Sequence, residues 1–450
     1  MSLLRFRHLN TQLRATLALA ALLGLGWRTH HAQTTASLVS SQSETTISNN
    51  HTFRNPSGRA GTFSTQGAID LTGHFFRPQG TNGRSCASCH IPHDAWSINP
   101  GTLQELFDET DGTDPVFHPL DANNPDALLA GPNTPEARLA AYSMLLSRGV
   151  FRRGGVPLAT RDTNGNLIRQ WDLIAVDDPH GYANLNRLVH WRRSMPTINF
   201  AVGSATVNWD GGNSVGTDQR AGLVNQARRN VTGGQQGSPA SDEVINNIVD
   251  FEASLSTAQV LVHGVGRLDS DGARGGPGAL AAMMKTPGRF DLFDAWANHE
   301  NPRRAQIARG QELFNSPNPN GRSCSACHNS ANNGTNINNA FFDVGTASAE
   351  ARTPDLPLYT FQHRTTGETR QLTDAGRGNV TGAWNDLGRF KTPTMRALSA
   401  RAPYFHNGIA PTLESVVRHY ETHFKVNGAP APFIFTDEER ADLVAFMDAL

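Results

Sequence analysis

Two short runs hold the residues whose types and spacing are most suited to chemistry. "NGRSCASCHIP" occupies 82–92 and "NGRSCSACHNS" occupies 320–330. Each run has two cysteines separated by two residues and then a histidine: Cys86, Cys89 and His90, followed by Cys324, Cys327 and His328. In such a run both thiols can add to the vinyl groups of a haem while the imidazole ligates its iron. Because all four cysteines of the chain lie in these runs, we expect two covalently bound haem c groups rather than two disulfides.

The overall composition is that of an ordinary globular protein. The 450 residues are 38% hydrophobic and 18% charged, and the net charge is −1. This length suffices for two or three domains, and the balanced charge does not suggest a nucleic-acid partner.

The first 32 residues predict export. Arginines precede the apolar run "LALAALLGLGW", and a small-residue cleavage point follows at Ala32. We therefore expect a signal peptide over 1–32 and a periplasmic mature protein, with an uncleaved N-terminal anchor as the alternative. The apolar run is too short for a stable membrane span, and no other run reaches about 20 apolar residues.

Helix signals dominate the elements that must position the two runs. Four segments combine apolar residues on helical spacing with capping residues: 134–149, 241–257, 303–315 and 436–450. Strand signals are sparse, so we expect a mainly α fold made of two cytochrome-c-like haem domains. The predicted boundaries are a flexible lead-in at 33–60, an N-terminal haem domain at 61–275 with a polar insertion at 101–190, and a C-terminal haem domain at 276–450. Glu243 and Glu252 are predicted to be a first-turn acid and a solvated flank.

Three further stretches carry a resemblance to a known family. They are "RRSMPTINF" (192–200), "NWDGG" (208–212) and "GRFKTPTMRALSARAPYFHNGIAPTLESVVRHY" (388–420). Together with the two cysteine runs, they resemble the bacterial di-haem cytochrome c peroxidases and their MauG-type relatives. The resemblance covers most of 61–275 and 300–450 and leaves out the insertion.

The resemblance implies two haems with different tasks. The N-terminal haem would be reactive, with an open or vacatable iron position, and the C-terminal haem would be six-coordinate and handle electrons. His90 and His328 would be the proximal ligands. Tyr420 stands fourteen residues after His406, where MauG-type enzymes have a Tyr and the peroxidases have a Met, so the sequence leans toward the MauG branch. The rival sixth ligands are Met395, His419 and His423.

The reactive pocket departs from the family pattern. Trp209 matches the tryptophan between the two haems and Gln226 matches a pocket Gln, but Gln236 stands where the family has its acid–base Glu. A Gln can hydrogen-bond a bound oxygen species but cannot shuttle a proton. Asp242 or Glu243 folding back is an alternative source of a carboxylate. Two further residues are candidates for a displaceable ligand of the first iron: His93 and His118.

The resemblance also implies a calcium ion between the domains. The backbone carbonyls of Arg401 and Pro403 match positions that help to bind this ion in the family, and oxygen ligands suit a hard cation.

These residues predict an exported di-haem c-type enzyme that activates hydrogen peroxide. Its partner would be a small electron-donor protein or a protein whose side chain it oxidises. Because the pocket Glu is missing, one alternative is a di-haem oxygenase that uses molecular oxygen on an organic substrate. The other alternative is a non-enzymatic di-haem electron carrier.

Overall fold

The computed structural model describes residues 45–49, 51–123, 133–158, 168–318, 321–426, 429–430 and 433–450. The signal peptide predicted over 1–32 and the first part of the lead-in predicted over 33–60 lie outside the described residues. Within the described ranges, no helix has both the length and the apolar character needed to cross a membrane.

Seven of the eleven helices within the described ranges begin directly after a residue whose side chain accepts a backbone N–H. The eleven helices are α1 (Pro100–Thr110), α2 (Pro135–Ala141), α3 (Ser143–Arg148), α4 (Gln219–Arg229), α5 (Asp242–Ala253), α6 (Pro277–Ala281), α7 (Pro302–Asn315), α8 (Cys324–Cys327), α9 (Gly378–Thr381), α10 (Leu413–Thr422) and α11 (Asp437–Asp448). The predicted caps of α2, α5 and α11 are confirmed, because Thr134, Ser241 and Thr436 each accept a backbone N–H three residues on. In α11, Glu439 completes the predicted capping box.

Strands are far more frequent than predicted. They are β1 (Thr46–Ser48), β2 (Thr52–Asn55), β3 (Gly58–Ser64), β4 (Ala68–Asp70), β5 (Val150–Pro157), β6 (Trp171–Asp177), β7 (Arg187–Arg193), β8 (Leu255–Val262), β9 (Gly266–Arg267), β10 (Phe341–Phe342), β11 (Leu358–His363), β12 (Thr369–Leu372), β13 (Phe390–Lys391), β14 (Lys425–Val426) and β15 (Ala429–Pro430).

The prediction of a mainly α fold is therefore wrong, since 34% of the structure is helix and 19% is strand. The missed strands do carry a two-residue alternation. In β6, Trp171 and Leu173 are buried while the intervening Asp172 is half-buried and Ile174 is exposed. The high Asp, Asn, Gly and Pro content of 101–190 concealed this pattern, because these residues usually indicate loops.

One antiparallel sheet supports the first cysteine run. Its strand order is β2-β3-β8-β9, so it joins the later part of the predicted lead-in to the strand that follows α5. Thr62 on β3 and Thr257 on β8 face each other in register, and their hydroxyl groups lie 2.8 Å apart. The Thr62 hydroxyl also accepts a hydrogen bond from Trp96 Nε1 at 2.9 Å. The sheet thus fixes a residue just after the first run.

A second sheet joins the predicted insertion to the C-terminal half. Its order is β12-β11-β6, and β6 from the insertion pairs antiparallel with β11. Trp171 and Leu173 pack with Tyr359 and Phe361 in the core of this sheet. The strand β6 of the predicted insertion is therefore part of the folded core, while the proposed boundary between 275 and 276 stays a prediction.

The helices α7 and α11 cross beside the second cysteine run. A Cβ at Gly310 would lie 1.9 Å from the Asp442 carbonyl oxygen, so only glycine permits this approach. Arg309 donates to both carboxylate oxygens of Asp442, at 2.8 and 2.9 Å. At the end of α7, the Phe314 ring lies edge-on to the His328 ring with centroids 5.7 Å apart. The helix pair thereby forms a wall against the second run.

Candidate functional site

The two cysteine runs adopt the same tight turn. The His90 N–H donates to the Cys86 carbonyl at 3.1 Å, and the His328 N–H donates to the Cys324 carbonyl at 3.0 Å. None of the four thiols is in a disulfide. Burial raises the pKa of Cys89 and of Cys324 to about 12. Such thiols are poor redox nucleophiles, so the arrangement favours attachment of a group over dithiol exchange.

Each histidine is held by the carbonyl group six residues further along. His90 Nδ1 donates to the Trp96 carbonyl at 2.9 Å, and His328 Nδ1 donates to the Gly334 carbonyl at 2.6 Å. This bond leaves Nε2 of each ring as the metal-binding nitrogen. Burial lowers the pKa of His328 to about 4 and also lowers that of His90. Both rings are therefore neutral at pH 7, as an iron ligand must be.

A large slot opens beside the second run, and we call it the C-terminal slot. It encloses about 1490 Å³, including its open mouth. Its walls are mainly apolar side chains from α7, α10 and α11, and Cys324, Cys327 and His328 line it as well. An apolar cavity with two thiols and a neutral imidazole on its wall fits a covalently attached haem.

Tyr420, the predicted sixth ligand, lies on α10 and lines the C-terminal slot. Its ring packs against Phe424 with centroids 5.4 Å apart. Burial raises the pKa of its hydroxyl, and the nearby Cys324 and Cys327 raise it further. A phenol in such a position stays protonated unless a cation such as an iron centre removes the proton.

The rival ligands are placed less favourably. Met395 packs against Gly334, because a Cβ there would lie 2.8 Å from Met395 Cγ. Since the Gly334 carbonyl holds His328, Met395 lies on the side of the proximal histidine. His419 donates to a backbone carbonyl at 2.7 Å, and neither it nor His423 is among the residues that line the slot. The placement therefore favours Tyr420.

Trp209 and Ser194 connect the two runs. Both line the C-terminal slot. Trp209 Nε1 donates to the Arg193 carbonyl at 2.9 Å, and the Oγ of the next residue, Ser194, lies 3.4 Å from each ring nitrogen of His90. The slot beside the second run thus reaches residues that contact the histidine of the first.

A buried ion cluster lies beside Trp209. Arg192 donates to the two carboxylate oxygens of Asp374 at 2.7 and 2.8 Å and to Asp210 at 2.5 Å. Burial lowers the pKa of His406 to about 3, although its Nε2 lies 3.9 Å from Asp374. The Trp209 and His406 rings are 6.3 Å apart. The cluster pairs one guanidinium with two carboxylates, and two further basic residues lie close by: Arg153 interacts electrostatically with Arg192 and Asp210, and the backbone N–H of Lys391 donates to the Trp209 carbonyl.

The glutamines near the first run are not placed as predicted. Gln235 is 1% exposed, and its Nε2 lies 2.9 Å from Asn230 Oδ1 and 3.9 Å from Cys86 Sγ. Gln236 is exposed and has a left-handed φ of 56°. Gln226 is half-buried on α4. The side chain beside the first run is thus that of Gln235, the immediate neighbour of the predicted Gln236.

Glu252 is a second residue that the sequence analysis placed wrongly, because it is buried rather than solvated. It is 4% exposed on α5, and burial raises the pKa of its carboxyl to about 7. The Thr197 hydroxyl bonds to it, and the Thr197 N–H donates to the Trp96 carbonyl that also holds His90. The carboxyl group is therefore linked to the proximal side of the first run. The signal available in the sequence was its position beside Phe251 on the apolar face of the helix.

The other candidate acids and ligands are exposed or make other contacts. Asp242 and Glu243 are exposed in the first turn of α5. His93 Nε2 lies 3.1 Å from a threonine hydroxyl, and His118 Nδ1 accepts a backbone N–H at 3.2 Å. Neither carboxylate supplies the missing pocket Glu in this arrangement.

The structure gives different contacts to the two residues whose carbonyl groups were predicted to bind calcium. The Arg401 carbonyl accepts a hydrogen bond from Arg193 Nη2 at 3.1 Å, and Pro403 lines the C-terminal slot. In the part of the chain that the structure describes, no group of three or more His, Cys, Asp or Glu side chains is arranged to hold a metal ion.

Comparisons with known proteins agree with the two runs. No protein-family model matches the chain. The chain is 28% identical over 267 residues to the methylamine utilization protein MauG of Methylorubrum extorquens, covering 58% of this chain and 64% of that protein. It is 31% identical over 179 residues to the cytochrome-c peroxidase IdrP1 of Denitromonas iodatirespirans, covering 35% and 44%. The alignments thus span less than two thirds of the length of these relatives.

One solved structure, a variant of the diheme peroxidase BthA from Burkholderia thailandensis, matches 90% of this chain and 95% of its own. Its TM-score is 0.34 and its sequence identity 15%, so this likeness carries no argument about the fold. The sequence relatives and the two C-x-x-C-H turns are the evidence for an evolutionary relationship. The chain is thus similar in sequence to di-haem cytochrome c peroxidases and MauG proteins, and these relatives support that superfamily.

Proposed function

We propose that the chain is an exported c-type cytochrome that carries two covalent haems and uses them to activate hydrogen peroxide. The first would be held by Cys86, Cys89 and His90, and the second by Cys324, Cys327 and His328. When bound, haem supplies an iron position for peroxide and the capacity to store oxidising equivalents. The named relatives support this class of activity, since they are cytochrome c peroxidases and MauG.

The observation that carries the proposal is the continuity of the C-terminal slot. Trp209 and Ser194 line the same cavity as Cys324 and His328, and Ser194 also contacts His90. An electron passing between the two sites would therefore have an indole on its route. The Trp209 N–H is held by a backbone carbonyl, which cannot accept its proton.

The first site would have an amide and a buried carboxyl group as its neighbouring polar groups. Gln235 is buried beside Cys86 and offers an amide. Glu252 is buried and lies on the side of His90. Its carboxyl group would influence the charge of the proximal histidine through Thr197 and the Trp96 carbonyl.

A MauG-like second site follows if Tyr420 is the sixth ligand. Tyr420→Phe should then change the low-spin spectrum of the second haem, because the phenolate oxygen is lost. Tyr404→Phe is the matched control, since Tyr404 lines the same slot but donates to the Leu398 carbonyl at 3.1 Å. An unchanged electron paramagnetic resonance signal in Tyr420→Phe would remove Tyr420 from the proposal.

Stoichiometric peroxide tests the activity. The oxidised holoprotein should change its absorbance at both haems, and the change should decay faster when a reduced small cytochrome is added. Trp209→Phe should retain both haems and slow the communication between them. Two low-spin haems whose absorbance does not change with peroxide would contradict the proposal and indicate an electron carrier.

An oxygenase is the second candidate, and one specific observation favours it. Gln235 lies beside Cys86, while Asp242 and Glu243 are exposed on α5. A site without an acid–base carboxylate suits binding of molecular oxygen better than rapid cleavage of peroxide. Oxygen uptake in the absence of peroxide, recorded with an oxygen electrode, distinguishes this activity from the peroxidase.

The proposal extends to the partners and the compartment. An exported peroxidase takes electrons from a small donor protein or from a side chain of a partner protein. Comparing the decay of the peroxide-oxidised state with a reduced cytochrome and with a candidate partner protein tells these two uses apart. Edman sequencing of the secreted protein tests the predicted cleavage after Ala32.

A further inference from the structure

The Arg193 guanidinium is a buried cation at the junction between the two runs. Arg193 ends β7 and is 5% exposed. It donates to three backbone carbonyl oxygens: that of Arg148 at 2.7 Å, that of Ile98 at 3.0 Å and that of Arg401 at 3.1 Å. These carbonyls belong to the end of α3, the loop after the first run and the C-terminal half. One side chain therefore joins three segments that are distant in sequence.

Converging carbonyl oxygens are also what a calcium ion needs, and the Arg401 carbonyl is one of the two that the family resemblance implies as calcium ligands. In this chain the oxygen already has a cationic partner in Arg193. A divalent ion on the same oxygen would stand close to the guanidinium. Two like charges so close in a buried setting repel each other strongly.

A second guanidinium increases this repulsion. The Arg401 side chain is itself buried and folds back onto its own loop, where Nη2 donates to the carbonyls of Thr394 and Arg396 at 2.9 and 2.8 Å. Burial lowers the pKa of both guanidinium groups, and the charge of Arg401 lowers that of Arg193 further. The carbonyl groups of this region are thus already occupied by guanidinium N–H groups.

The anionic ligands that would offset a calcium ion are not assembled here. Within the described ranges, no three or more His, Cys, Asp or Glu side chains form a metal-binding group. Asp94 interacts electrostatically with Arg193, but its carboxylate is held by Asn99, whose backbone N–H donates to it at 2.9 Å. Calcium usually takes six to eight oxygen ligands, several of them carboxylates.

The site is shaped around the guanidinium. Gly149 has a φ of 63°, and a Cβ at this position would lie 2.7 Å from Arg193 Nη1. The space is therefore available only because residue 149 has no side chain. Burial lowers the pKa of Arg193 to about 10, so the group still carries its charge at pH 7.

We propose that the Arg193 guanidinium takes the place of a calcium ion at this junction, so that the protein holds its two haem runs together without a divalent metal. The proposal concerns the scaffold and does not depend on whether the oxidant is peroxide or oxygen.

Elemental analysis and chelation of the wild-type holoprotein test this directly. After purification in calcium-containing buffer and desalting, the holoprotein should contain no calcium. Its haem spectrum and thermal midpoint should stay the same with EDTA and with added calcium chloride. A calcium ion that EDTA removes, with a changed spectrum or a lower midpoint, would overturn the proposal.

Variants of Arg193 provide the second arm. Arg193→Gln should lower the thermal midpoint by about 5 °C or more, because three carbonyls lose a charged donor. Arg193→Lys should lie between this variant and the wild type, since it keeps the charge but loses the planar fork. Arg267→Gln is the control, because the Arg267 side chain is 63% exposed. A midpoint for Arg193→Gln equal to that of the control would contradict the role of the guanidinium, and if Arg193→Gln cannot be recovered the chelation result on the wild type decides.

Discussion

The two C-x-x-C-H runs have the same local geometry but different surroundings. In both, the histidine donates from Nδ1 to a carbonyl six residues on, and the residue that supplies the carbonyl has a left-handed backbone: Trp96 with a φ of 60° and Gly334 with a φ of 75°. Trp96 is a bulky residue in a conformation that glycine adopts freely, and its indole is bonded to Thr62. The first run therefore depends on a sheet to hold this conformation, whereas the second depends on glycine alone.

The surroundings of the two runs differ in the polar and charged groups that they contain. The second run faces a large apolar slot with Tyr420 on its wall. Next to the first run lie the amide of Gln235 and the buried carboxyl of Glu252. Under the proposed function, the same attachment turn would supply a histidine ligand at both sites, while the side chains around it would decide what each iron can do.

Removing each pair of cysteines should have the largest effect. It tests whether both runs attach haem and whether the two sites have different tasks. Replacing both cysteines of either run by Ala should halve the covalent haem content, measured as the pyridine haemochrome. Only loss of the first run should abolish the fast reaction with peroxide. If loss of the second run abolished it equally while the first haem stayed attached, the assignment of tasks would be reversed or shared.

Breaking the buried ion cluster beside Trp209 should have the next largest effect. Asp374→Asn leaves Arg192 with one carboxylate partner in a buried site and should lower the free energy of unfolding by about 3–5 kcal/mol. Asp250→Asn is the matched control, because its ion pair with Arg220 is exposed and should contribute about 1 kcal/mol or less. Urea unfolding of the holoproteins measures both values, and equal losses would mean that the cluster is not buried as described.

Glu252 should make stability depend on pH in a way that no exposed acid does. Burial raises the pKa of its carboxyl from an ordinary 4.5 to about 7. As the pH rises between these values, the unfolded chain therefore loses this proton before the folded protein does. The free energy of unfolding should therefore fall by about 2–3 kcal/mol as the pH rises from 4.5 to 7, and then level off. Glu252→Gln should remove this fall.

The control for that experiment is Glu243→Gln, which changes an exposed acid on the same helix and should keep the wild-type pH dependence. Urea titrations at pH 5 and pH 8 suffice. A wild-type protein that is equally stable at both pH values would contradict the buried carboxyl.

The smallest expected effect distinguishes two adjacent glutamines. Gln235→Ala breaks buried hydrogen bonds and should cost about 1–2 kcal/mol, together with a shift in the spectrum of the first haem. Gln236→Ala should change neither by a measurable amount, because the side chain is exposed. An effect of Gln236→Ala without an effect of Gln235→Ala would instead support Gln236, the residue that the family comparison selects.

The sequence was sufficient where a residue acts through its own chemistry or its immediate neighbours. The cysteine runs are of this kind, as are the caps Thr134, Ser241 and Thr436, because a cap needs only a hydroxyl next to a helix start. Tyr420 lines the expected cavity for a similar reason, since it lies on a short helix whose rotation follows the apolar spacing.

The sequence was insufficient where the direction of a side chain depends on the three-dimensional packing of its helix. Between Gln226 and Gln236 the helix α4 continues into a wider π-helical turn, Asn230–Gly234. Counting ten positions from Gln226 selects Gln236, but after this turn the buried side chain is that of Gln235, and Gln236 is exposed. Glu252 was missed because a charged residue on a helix is usually solvated, and only the packing of α5 shows that this one is buried.

The pairing of β6 with β11 has a consequence for the newly made chain. The two strands are about 180 residues apart, so at roughly 5–20 residues per second β6 waits on the order of 10–40 s for its partner to be synthesised. During that time Trp171 and Leu173 have no strand to cover them, and the open edge can pair with another chain. A truncated protein that keeps the first cysteine run and ends before β11 should therefore aggregate, although every residue of its haem-attachment run is present.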